Sequence, residues 1–122
     1  MAWDKPGGFY GEDALKRLRD EGITQRCFSW VLDDPNAMVW GDEPLRMNGE
    51  IVGTASSVGF GHSVGAPVCL GYVSHPEVAT KGFAKQGSFE LQLGDRLIGA
   101  TARVSAPFDP KHRRVQGDYS AA

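Results

Sequence analysis

The chain has 122 residues, with 13 Lys and Arg against 15 Asp and Glu, for a net charge of −2. That length suits one domain with one ordinary core, able to bury roughly two-thirds of the surface its unfolded chain exposes. Neither sign of charge is collected into a long block, which excludes a nucleic-acid groove, because affinity for a phosphate backbone needs concentrated positive charge. No apolar run approaches the roughly 18 residues of a membrane span. Trp3, Asp4, Lys5, Pro6 and Gly7 stand where a signal peptide has its apolar segment. The expectation is a soluble, intracellular protein with no nucleic-acid and no membrane partner.

Sixteen glycines and seven prolines cut the chain into short segments, the usual writing of an all-β domain. One helix is predicted first, over about Gly11 to Glu21. Glu12 and Asp13 place negative charge in its opening turn, Ala14, Leu15 and Leu18 form one apolar stripe, and Gly22 is a stop signal. The periodicity then changes to β-type runs at Arg26–Leu32, Leu45–Met47, Glu50–Ser57, Val68–Val73 and a hairpin over Phe89–Val104. Asn48-Gly49 predicts a type I′ turn because both residues accept positive φ, and Gly94-Asp95 suits a similar turn. These elements predict a mainly β fold: a small antiparallel barrel or sandwich of five or six strands behind one N-terminal helix. Trp3, Trp30 and Trp40 are expected to supply core bulk, and Cys27 and Cys69, in apolar runs without CxxC spacing, to be buried free thiols.

The stretch Gly59-Phe60-Gly61-His62-Ser63-Val64-Gly65 raises the question of a ligand. Its G-x-G-x-x-x-G spacing is one residue longer than the dinucleotide fingerprint, and β-prone residues follow where the fingerprint needs a helix N-terminus. It is expected to be a loop between strands. His62 has no local partner for a metal, since His75 lies in a Ser-His-Pro turn and His112 in a basic tail. No G-x-S-x-G elbow presents Ser56, Ser57 or Ser63 as a nucleophile. Asp33-Asp34-Pro35 and Gly41-Asp42-Glu43-Pro44 read as turns rather than general acids. The residues alone therefore lead to a β domain with no catalytic set and no metal site.

The order of three segments carries a resemblance. "GGFYGEDAL", "WGDEPLRMNGEIVGTASSVGFGHSVGAPVCLGYV" and "FELQLGDRLIGATARVSAPFDP" together resemble the C-terminal domain of the glycine-cleavage T-protein family of aminomethyltransferases, in the version that ends the dimethylglycine and sarcosine dehydrogenases and oxidases. The resemblance implies a Greek-key-like β-barrel of about six strands over residues 11–110, a lead-in at 1–10 from an upstream domain, and a flexible tail at 111–122. It also implies that one-carbon chemistry on tetrahydrofolate, and in the dehydrogenases flavin chemistry on FAD, belongs to upstream regions with no counterpart here. This chain alone is then expected to hold no cofactor and no catalytic residue. Its partner would be a folate-binding domain, in cis or in trans, in the cytoplasm or, in a eukaryote, the mitochondrial matrix. Arg113 and Arg114 in the tail and His62 in the glycine stretch are the candidates for folate-entrance or interdomain contacts. The alternatives are a stand-alone barrel that binds a small ligand or a protein, and, ranked last, a complete small enzyme.

Overall fold

In the computed structural model, which describes residues 3–80 and 82–120, the period-two runs become six strands. They are β1 (Gln25–Leu32), β2 (Pro44–Met47), β3 (Glu50–Gly61), β4 (Ala66–Ser74), β5 (Phe89–Leu93) and β6 (Arg96–Arg103), preceded by the helix α1 (Glu12–Glu21). Every pairing is antiparallel, and the strands close into a barrel in the order β1-β4-β3-β2-β5-β6. Closure leaves β1 between β4 and β6, while β3 beyond Ala55 is laddered only to β4.

Turn chemistry sets the registers. Asn48 and Gly49 adopt φ of 52° and 88°, as the β2–β3 hairpin requires. Asn48 does more than turn: its backbone N–H donates to the Ser88 carbonyl at 2.9 Å, and its side-chain oxygen accepts from the Ser88 N–H at 3.1 Å. The hairpin tip is thereby tied to the start of β5. Gly49→Val forces a β-branched residue into left-handed backbone and is expected to cost about 1–2 kcal/mol, read as a lower thermal midpoint with an unchanged far-UV spectrum.

Inward positions alternate along each strand. On β1 they are Phe28, Trp30 and Leu32, all nearly or fully buried. Trp30 occupies the centre, edge-on to Phe28 at 5.8 Å and to Phe89 at 5.1 Å, and its indole N–H reaches the Gly71 carbonyl at 3.4 Å. A 3₁₀ turn at Phe83–Lys85 brings Phe83 into the core against Phe28 and Phe89.

Three expectations need correction. The glycine stretch is not a long loop: Gly59, Phe60 and Gly61 continue β3, and only His62–Gly65 turns, with the Val64 and Gly65 N–H groups donating to the Gly61 carbonyl. Only Trp30 of the three tryptophans is core. Trp40 is 83% exposed, and Trp3 lies half-buried beneath the Arg19 guanidinium, 5.1 Å from its ring. The predicted stripe of α1 lies open: no α1 residue is buried, and among the described residues the helix forms no extensive interface with any strand. Of the thiols, Cys69 is buried but Cys27 is only half-buried.

Candidate functional site

The carboxylates beside prolines are occupied with backbone. Glu43 spans the β1–β2 loop, its two side-chain oxygens accepting from the Trp40 and Gly41 N–H groups at 2.7 and 2.9 Å. Asp34 accepts from the Asn36 N–H at 2.9 Å and from Arg96 at 2.8 Å, and these bonds, the backbone one first, hold its carboxyl below the usual range. Asp33 packs against Gly99, where any side chain would collide with its carboxylate. Glu43 and Asp34 thus do the work of turn acceptors. Burial, with a smaller contribution from the Glu43 charge, pushes the Cys69 thiol up to about 12, so it stays protonated and unreactive at neutral pH.

His62 stands exposed at the β3–β4 turn, edge-on to Phe60 with ring centroids 5.2 Å apart. His75 accepts the Glu77 N–H at Nδ1 (3.1 Å) and lies 5.1 Å from the Phe83 ring. Among the described residues, no three His, Cys, Asp or Glu side chains gather as a metal site would require.

Beyond β6 the tail is organised by Asp109, whose carboxylate accepts from the Arg113 and Arg114 N–H groups at 2.9 and 3.1 Å. Arg113 is left exposed. Arg114 lies half-buried with its guanidinium 4.9 Å over the Phe108 ring, and its Nε is buried without an acceptor among the described residues. No hydrogen bond or ring contact joins His62 to either arginine among the described residues. A cleft of about 560 Å³ lies elsewhere, between β1, β6 and the 3₁₀ turn, among residues that no sequence motif singles out.

Comparison with known proteins gives the barrel its relatives. The pattern described as "Glycine cleavage T-protein C-terminal barrel domain" matches residues 25–109. Mitochondrial sarcosine dehydrogenase of Homo sapiens is 31% identical over 93% of this chain. The 4-methylaminobutanoate oxidase (formaldehyde-forming) of Paenarthrobacter nicotinovorans is 33% identical over 96% of it. This chain spans only 12% and 14% of the length of those two proteins. The solved structure of the glycine cleavage system aminomethyltransferase T of Bartonella henselae superposes on 78% of the chain, 25% of its own, with a TM-score of 0.61 and 26% identity. The matched pattern begins at the first residue of β1 and runs past the end of β6, so it takes in all six strands. The chain belongs to the glycine cleavage T-protein C-terminal barrel domain family.

Proposed function

We propose that this chain is the non-catalytic barrel of a tetrahydrofolate-dependent one-carbon enzyme, packing against a folate-binding domain and helping to close its site. The observation that carries the reading is the uncovered stripe of α1. Ala14 and Leu18, the latter 50% exposed, together with half-buried Leu15, make an apolar face immediately ahead of the barrel, and among the described residues no strand forms an extensive interface with it. Helices of this amphipathic kind bury that face against something. A preceding folate domain is the natural cover, given how much longer the relatives are.

Folate is an aromatic body with glutamyl carboxylates, and the tail has groups that fit it. Exposed Arg113 supplies a cation, and the buried Nε of Arg114, without an acceptor among the described residues, is a donor that an acceptor from outside this chain would satisfy. His62, at an exposed turn, is assigned to the interdomain face. FAD has no such fit: the only G-x-G element runs along β3 into a tight turn instead of opening a helix. A flavin would be held by another part of the enzyme, and the whole assembly would work in the cytoplasm or mitochondrial matrix.

The test uses a folate domain of the sarcosine dehydrogenase type, expressed separately. It should co-purify with this chain, and Leu15→Glu with Leu18→Glu should abolish the complex. In the joined protein, Arg113→Ala with Arg114→Ala should weaken tetrahydrofolate binding by about 1–2 kcal/mol in a calorimetric titration, the loss expected for charge-assisted hydrogen bonds. A monodisperse chain that ignores the folate domain would favour a stand-alone module. Turnover of sarcosine by the pure chain with tetrahydrofolate and an electron acceptor would overturn the reading.

A further inference from the structure

The barrel wall opens where β1 and β6 part. Their pairing begins at Ser29 opposite Arg103, so Arg26, Cys27 and Phe28 are laddered only to β4 and have no strand on their other side. β6 ends at Arg103 and the chain leaves through Val104 and Ser105, while the 3₁₀ turn at Phe83–Lys85 crosses beneath. The result is a notch of about 560 Å³, within the range of small-molecule sites.

Its chemistry is divided. Phe28, Phe83 and Ala102, buried in the core, close its floor from below, and Ala79, Ala84 and Val104 supply the apolar surface that a ligand can reach. Arg26, Arg103 and Lys85 make a cationic rim, and among the described residues no Asp or Glu lines the cleft, although acids outnumber bases in the chain. None of the three cations has a carboxylate partner among the described residues. The Arg26 guanidinium already sits 5.6 Å from the Phe28 ring centre, which places positive charge at the border of the floor. An apolar floor under unpaired cations is complementary to one kind of molecule: a flat apolar body bearing a single negative group.

We propose that this notch is a binding site for a small organic monoanion with an aromatic body, its ring against Ala84 and Val104 and its carboxylate or sulfonate on Arg26 and Arg103. The site is built wholly from this chain and does not depend on the folate reading.

The probe is 8-anilinonaphthalene-1-sulfonate, set against uncharged N-phenyl-1-naphthylamine of nearly the same shape, each titrated into the 122-residue chain. The sulfonate should bind at one site, shifting amide resonances of Phe28, Phe83, Lys85 and Arg103 in ¹H–¹⁵N spectra and weakening as salt rises. Arg26→Gln with Arg103→Gln should cut its affinity about tenfold or more and leave the uncharged probe unaffected. Arg103 is exposed, so Arg103→Glu alone gives a second variant whose fold the circular dichroism spectrum can verify. Phenylacetate should displace the sulfonate and phenylacetamide should not. Equal affinities for both probes, unchanged sulfonate binding in the variants, or shifts centred on α1 would overturn the proposal.

Discussion

Trp30→Ala is expected to lower stability by about 3–5 kcal/mol, the range for emptying a large aromatic site in a core, and to bring the thermal midpoint down by roughly 10–20 °C. The magnitude follows from position. Trp30 is fully buried, contacts Phe28 and Phe89 edge-on, and spends its only polar group on the Gly71 carbonyl. Collapse around the vacated space is resisted by the closed ladder, which pairs β1 on both sides at this residue, with Cys69 and with Ala102. Small domains hold only about 5–15 kcal/mol in all, so the loss is a large part of the total. Trp30→Phe keeps ring contacts and should recover at least half of it. Urea titration of the three proteins checks both values, and a Trp30→Ala loss near 1 kcal/mol would show that the centre of the barrel repacks freely.

Gly53→Ala should be nearly as damaging, at about 3 kcal/mol, the upper end for overpacking. A methyl group there would fall on the Tyr72 carbonyl oxygen and come within 3.2 Å of the Val73 Cα. Both are main-chain atoms of β4, paired to β3 at this register, and they cannot move aside without parting the ladder. Gly59 in the same strand is the internal control. Nothing lies within 4 Å of its added carbon and its φ is ordinary, so Gly59→Ala should leave stability within about 0.5 kcal/mol. Equal effects at the two positions would contradict the close approach of β3 and β4 at Gly53.

Much of this fold is legible from local chemistry. Asn48-Gly49 announces its hairpin because few other pairs tolerate two positive φ angles, and the alternation Phe28, Trp30, Leu32 marks an inner face. Gly59 and Gly61 mislead for a related reason. Glycine advertises freedom at turns, yet at Gly61 an added carbon would meet the Val68 side chain at 2.8 Å, so there it serves close strand packing. Trp40 misleads because bulk alone does not decide burial. Its own N–H is held by Glu43, and its ring points away from the barrel into solvent. The stripe on α1 reads correctly as amphipathic, but which body it covers is not written in its periodicity. The notch is invisible for a different reason: Arg26 and Arg103 lie far apart in the sequence, and only the meeting of β1 and β6 brings both to the lining of one cleft.

The same closure sets a timetable for folding. β3 and β4 are joined by a four-residue turn and can zip locally, as can β5 and β6 across Gly94-Asp95. The seam between β1 and β6 cannot, because it joins the first strand to the last and must wait for the largest loop in the domain to be confined. Topologies dominated by such distant pairings fold in milliseconds to seconds rather than microseconds. On the ribosome the consequence is starker. Until Arg103 has left the exit tunnel, β1 has only β4 to pair with, and a nascent chain stalled any earlier displays Trp30 and its neighbours along an open sheet to whatever chaperone or protease arrives first.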